Sequence, residues 1–220
     1  MAQLPLDLGH RPSFSGEDFL VAPCNQAAIA WLDRWPDWPG SGLAVYGPPG
    51  CGKSHLAHVF QARSAARLLL PDDLARAEPP VLLGEARACV LDGEPPVPER
   101  ALLHLYNHLV QSGGRLLLVS REAPARWRVG LPDLASRLAA MPAVRIDPPD
   151  DVLIAALLVK LFADRQLGVA PEVVAYLTPR VERSFDDLKR IVDLLDRESL
   201  ARRRAITLPL AREVVERENA

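Results

Sequence analysis

Residues 47–54 read Gly47-Pro48-Pro49-Gly50-Cys51-Gly52-Lys53-Ser54, a complete G-x-x-x-x-G-K-[ST] phosphate-binding loop. Glycines let backbone N–H groups close around phosphate oxygens without a Cβ in the way. A helix that follows turns its positive dipole end toward the same anion. Lys53 is placed to reach the β- and γ-phosphates and Ser54 to hold Mg²⁺, and His55, the next residue, completes the nucleotide-binding set. The apolar run Leu43–Tyr46 precedes the loop, and an apolar-periodic segment, His55 to Ala65, follows it. That strand–loop–helix context separates the motif from a Gly/Pro turn before an ordinary helix. The expected ligand is a nucleoside di- or triphosphate.

Ala88-Cys89-Val90-Leu91-Asp92 is an apolar strand ending in an acid. After a phosphate loop, such an acid binds Mg²⁺. Nucleotide hydrolases of this type usually carry Glu or Asp at the next position to orient the attacking water. Here that position is Gly93, and the nearest acid is Glu94. A general base contributes roughly 10²–10⁴-fold, so Gly93 predicts weak intrinsic hydrolysis unless Glu94 bends back into the site. Ser120 ends another apolar run and either watches the γ-phosphate or caps a turn. Cys51, at the N-terminus of the expected helix, is either a small filler or a thiol with a lowered pKa, whose oxidation would block nucleotide binding. His104 and His108 are spaced i, i+4, but no Glu stands beside them and no third zinc ligand is evident. No G-x-S-x-G, catalytic-cysteine constellation or helix-turn-helix is apparent.

Five short apolar runs frame these residues: Leu43–Tyr46, Ala66–Leu70, Ala88–Leu91, Arg115–Ser120 and Ala143–Ile146. Each has the length of a buried strand. A helix over Glu99–Gln111, closed by Gly113-Gly114, separates the third from the fourth. An earlier helix falls within Glu17–Trp35, starting near Asn25 and stopped by Pro36 and Pro39-Gly40. Alternation of strands and helices implies α/β architecture with a parallel sheet covered on both faces. After Pro148-Pro149 only helices are expected: Asp150–Gln166, Pro171–Thr178, Ser184–Arg203 and Pro209–Glu216, with Asp150, Ser184 and Pro209 as start signals. Three segments follow: an extended tail, 1–13; an α/β nucleotide-binding domain, 14–147; and a small all-helical domain, 148–220. Glu94-Pro95-Pro96-Val97-Pro98 reads as a stiff surface loop.

With 220 residues, 49% apolar and 25% charged, the chain has room for one sizeable core and a small second one. A net charge of −2 provides no global basic field to draw it onto nucleic acid. Positive charge is almost all arginine, with Lys53, Lys160 and Lys189 the lysines. Cys24, Cys51 and Cys89 lack metal-ligand spacing and cannot all pair, which suits a reduced, cytoplasmic setting. The apolar stretch Val152–Val159 is far short of a membrane span, so no membrane partner is expected.

The order of these features resembles the AAA+ proteins: phosphate loop, acid-ended strand, polar strand end, an arginine before the fifth strand, then a helical lid. Within them the chain is similar to the DnaA-related proteins, and among those to regulators that inactivate the replication initiator DnaA. Gly130-Leu131-Pro132-Asp133-Leu134-Ala135-Ser136-Arg137-Leu138 looks like their arginine-finger segment. The resemblance implies that Arg137 is a finger acting in trans and that Arg183, in Glu182-Arg183-Ser184-Phe185, is the lid arginine that senses nucleotide. It places Leu20 and Val21, flanked by Phe19 and Asn25, around adenine. Gln3-Leu4-Pro5-Leu6-Asp7-Leu8 resembles a sliding-clamp-binding motif: Leu6 and Leu8 would enter an apolar pocket while Gln3 bonds at its edge and Leu4 flanks it. Pro5 pre-extends that peptide.

Two departures from DnaA bear on function. The chain ends at Ala220, where DnaA's DNA-binding domain would begin, and Pro71–Arg87 is short for the insertion that lines a single-strand channel. Origin binding and melting are therefore not expected. The implied role is a negative regulator of replication initiation. Tethered to the DNA-loaded β clamp of DNA polymerase III, it would stimulate ATP hydrolysis by DnaA while itself holding ADP or ATP with Mg²⁺. DNA contact would be indirect, through the clamp, and a homodimer is left open. The alternative is an autonomous DNA-associated AAA+ ATPase or helicase-loader-like remodeller, which requires substantial turnover and salt-dependent DNA affinity.

Overall fold

The computed structural model describes residues 20–218. The clamp-motif residues Gln3, Leu4, Leu6 and Leu8, and Phe19, lie outside them.

The five apolar runs form strands β1 (Gly42–Tyr46), β2 (Arg67–Leu69), β3 (Ala88–Asp92), β4 (Arg115–Ser120) and β5 (Ala143–Arg145). They pair in parallel in the order β2-β3-β4-β1-β5. Helices cover both faces of the central strands, so these strands read as continuous apolar runs rather than alternating ones. In register, Tyr46 of β1 lies opposite Ser120 of β4, and Asp92 of β3 lies opposite Val119. The carboxyl ends of β1, β4 and β3 therefore share one edge, where open α/β sheets bind their ligands.

One face is covered by α1 (Gln26–Leu32) and α2 (Lys53–Ser64). Ile29, Leu32, Leu56 and Phe60 fill it together with Trp38. Trp35, Trp38 and Phe60 meet with ring centroids 5.2–5.5 Å apart, close to favoured aromatic spacing. The other face is covered by α3 (Pro79–Leu83), α4 (Glu99–Gln111) and α5 (Pro132–Ala140). Leu102, Leu105 and Leu109, one stripe of α4, pack with Leu134 and Leu138 of α5 against Leu91, Leu116 and Leu118.

Some boundaries differ from expectation. The first helix is shorter, and β2 and β5 lose terminal residues, as element ends commonly do. Residues 71–87 hold a 3-10 turn (Pro71–Ala75) as well as α3, and Pro124–Arg126 is a second such turn. The helix α5 carries the segment expected only as a motif. Prolines at the first positions of these elements start them without losing a needed N–H.

Chain contacts divide the protein after Asp147. The second unit contains α6 (Asp151–Asp164), α7 (Pro171–Leu177), α8 (Phe185–Arg202) and α9 (Leu208–Glu218). Asp150 accepts a hydrogen bond from Leu153 N at 2.8 Å and caps α6. Ser184 caps α8, its Oγ accepting from Asp187 N at 3.1 Å. Leu158, Phe162, Val173, Leu177, Leu188, Val192 and Val214 are buried within this unit. Among the described residues no helix is long and apolar enough to cross a membrane.

Candidate nucleotide site

The phosphate loop leaves β1 and enters α2. Gly50 and Gly52 hold φ of 70° and 95°, which an L side chain rarely adopts. Successive amides in such a turn make an anion-binding nest. At Gly47 the demand is steric, since a Cβ would stand 2.2 Å from the Ile146 carbonyl oxygen. Gly47 N donates to Ser120 O at 3.2 Å, tying the loop to the end of β4. Lys53 is 9% exposed and donates from Nζ to Pro48 O at 2.7 Å. No carboxylate pairs with it among the described residues, and a buried ammonium without a counter-charge is costly. The first turn of α2 contains no acid, so its dipole is not offset there. An anion with several oxygens fits this arrangement, and a di- or triphosphate meets it.

Ser54 is exposed at the second position of α2, and His55 is half-buried beside it. Asp92 stands half-buried at the carboxyl end of β3. A hydroxyl and a carboxylate are hard oxygen donors suited to Mg²⁺, which usually keeps several waters and takes its other ligands from phosphate. Ser120 is 3% exposed, and its Oγ donates to Glu122 O at 2.6 Å. In this structure the hydroxyl caps the turn after β4.

The position after Asp92 is closed to an acid. A Cβ built on Gly93 would stand 2.3 Å from Pro71 Cγ and 2.5 Å from Cδ, atoms of a rigid ring. The Glu94 carboxylate, the nearest acid, pairs with Arg121 at 2.9 Å. Neither Pro71 nor Arg121 was identified from sequence. Pro71 starts a segment far from β3 in the chain, and only the folded structure brings it to Gly93.

Cys51 is buried, and burial raises its thiol pKa against the opposing pull of Lys53. The expectation of a lowered pKa, drawn from the helix N-terminus alone, is corrected: desolvation wins. The filler reading stands, since Sγ lies 3.1 Å from the Cβ that Gly47 lacks.

Leu20 and Val21 are half-buried and held by Asn25. The Asn25 side chain donates to Leu20 O and accepts from Ala22 N, each at 2.9 Å. Asp147 N donates to Cys24 O at 3.0 Å. These bonds fix the segment ahead of α1 that the resemblance places around adenine.

Arg137 lies on α5, half-buried, with its guanidinium carbon 5.5 Å from the Tyr106 ring centroid on α4. Its Nε is buried without a hydrogen-bond partner. The backbone ahead of α5 is bound to Glu99, whose carboxylate accepts from Gly130 N and Leu131 N at 2.9 Å. In the second unit, Arg183 donates to Asp151 Oδ1 at 2.6 Å and to Pro149 O at 3.1 Å, both at the start of α6.

Residues 151–215 match the family model described as Hda, lid domain. In fold, the chain is similar to domain III of the replication initiation protein DnaA from Thermotoga maritima. The TM-score is 0.74 at 19% identity, covering 94% of this chain and 97% of that one. AMPPCP-bound DnaA from Aquifex aeolicus matches with a TM-score of 0.68 at 18% identity, over 84% of this chain and 66% of that one. The RuvB Holliday junction branch migration motor of Thermotoga maritima gives 0.67 at 13%, over 88% and 67%. Residues 151–215 thus match an Hda-type lid, and the chain has the fold of DnaA domain III.

Proposed function

We propose that this chain is a negative regulator of replication initiation that stimulates ATP hydrolysis by DnaA while tethered to the sliding clamp. The observation that carries this reading is the closed position at Gly93, against Pro71. A site with a complete phosphate loop but no room for the water-orienting acid suits holding a nucleotide rather than consuming it. Arg137 would instead serve the neighbouring site, where a finger supplied in trans is worth roughly 10³–10⁵ in rate.

In this reading the loop amides and Lys53 bind the phosphates of ADP or ATP, with ADP the productive ligand. Leu20 and Val21 flank the adenine, Ser54 and Asp92 hold Mg²⁺, and Ser120 and Arg183 sense the phosphate end. Bound Mg²⁺ supplies charge neutralisation at the phosphates. Nucleotide binding stabilises one conformation of the chain by linkage. Gln3, Leu4, Leu6 and Leu8 engage the clamp, so DNA contact is indirect and the setting is cytoplasmic. AMPPCP in the related DnaA supports the nucleotide assignment.

The decisive experiment measures ADP formation on DnaA with clamp, DNA and this protein present. Arg137→Ala is expected to retain nucleotide and clamp binding and to lose stimulation by at least about 10³-fold. Deletion of residues 3–8 is expected to abolish clamp pull-down. Normal stimulation by Arg137→Ala refutes the finger, and clamp capture by the deletion refutes the tether. High turnover by this chain alone would instead select the autonomous ATPase.

A further inference from the structure

We propose that α4 is the platform that aims Arg137, with Glu99 and Tyr106 as its positioning residues; this rests on the reading of Arg137 as the finger. Arginine has a long, rotamer-rich side chain, and a charge delivered to another molecule's site must arrive in one orientation. Two contacts from α4 supply that constraint. Glu99, the first residue of the helix, binds Gly130 N through both carboxylate oxygens and Leu131 N through Oε2, all at 2.9 Å. This fixes the backbone where α5 begins. Tyr106 is seven residues further along α4, two turns on and on the same face. Its ring lies 5.5 Å from the guanidinium carbon of Arg137, within the range of cation–π attraction.

The kind of contact matters as much as its place. Arg137 Nε is buried without an acceptor, and no carboxylate pairs with the guanidinium among the described residues. A salt bridge would orient the group but neutralise it, and would have to break on docking. An aromatic face orients the planar guanidinium and leaves its charge in place. Arg137 is thus restrained before any partner arrives.

The test uses the full chain with DnaA, clamp and DNA, titrating this protein to separate the maximal stimulated rate from the half-saturating concentration. Tyr106→Leu is expected to lower the maximal rate about tenfold, the scale of one cation–π contact, with half-saturation, nucleotide affinity and melting temperature unchanged. Tyr106→Phe, which keeps the ring, is expected to keep the rate. Glu99→Gln, which retains one carbonyl acceptor, is expected to lower it less. Tyr106→Met provides a second ring-free variant should Tyr106→Leu not fold. An independent readout is the Arg137 Nε–Hε resonance, displaced by the ring current in the parent and Phe variant and not in the Leu variant. Full stimulation by Tyr106→Leu while Arg137→Ala is inactive overturns the platform alone. An unmoved Arg137 resonance overturns the stacking. Full stimulation by Arg137→Ala overturns the finger reading beneath both.

Discussion

At the scale of single residues, the Pro71 ring stands where a side chain at position 93 would go. Gly93→Glu alone inserts an acid whose Cβ overlaps the Pro71 ring at 2.3 Å. Overpacking of this kind typically costs about 1–3 kcal/mol, so that variant is expected to melt earlier and to gain no turnover. The overlapping atoms are Cγ and Cδ, both absent from alanine. Gly93→Glu combined with Pro71→Ala is therefore expected to recover stability and to raise ATP turnover by roughly 10²-fold. Thermal melts and steady-state ADP release check both. A Gly93→Glu protein as stable as its parent would show that the proline yields. The phosphate loop itself was fully legible in the sequence, because its chemistry is local. The blocking of Gly93 was not, since a glycine in sequence does not reveal what stands opposite it.

At the scale of elements, helix starts were legible wherever a side chain caps its own backbone. Asp150 and Ser184 accept from Leu153 N and Asp187 N as their residue types predict. Asp187 then reaches back, accepting from Glu182 N at 2.8 Å while also binding Arg190. This reciprocal cap brackets Arg183. Ser184→Ala is expected to lower unfolding stability by about 1 kcal/mol. Asp187→Ala is expected to cost more, about 1–3 kcal/mol, because Asp187 is 8% exposed and its loss strands a partly buried N–H. Urea titration measures both, and equal, negligible losses would remove the cap from the account. Boundaries of α4 and β4 were also readable, being an apolar stripe and an apolar run bounded by glycines. By contrast, α3 is five residues opened by Pro79-Pro80, too short for periodicity to register. The start of α5 carries Pro132, with Leu134 and Leu138 at helical spacing, yet in sequence its segment reads only as a motif.

At the scale of the whole molecule, the α/β architecture with its helical lid was legible from the change of pattern at Pro148, while the burial of individual thiols was not. Cys89 lies buried within β3, and burial pushes its thiol up to about 12. The folded chain therefore holds that proton at pH values where the unfolded chain releases it. The stabilisation is complete below the ordinary thiol range and is lost as pH rises through it toward 12. Stability is expected to fall with rising pH across that window, and to fall less steeply in Cys89→Ala. Unfolding midpoints measured from neutral to strongly alkaline pH check this, and parallel curves for the two proteins would exclude Cys89 as a cause.

The overlap of Pro71 with a side chain at 93 also bears on ancestry. An acid introduced at 93 alone is expected to strain the fold, and a proline replaced at 71 alone to bring no activity. Neither single step from the present sequence is rewarded. A lineage that fixed this pair would need both changes together to place an acid at 93 without strain.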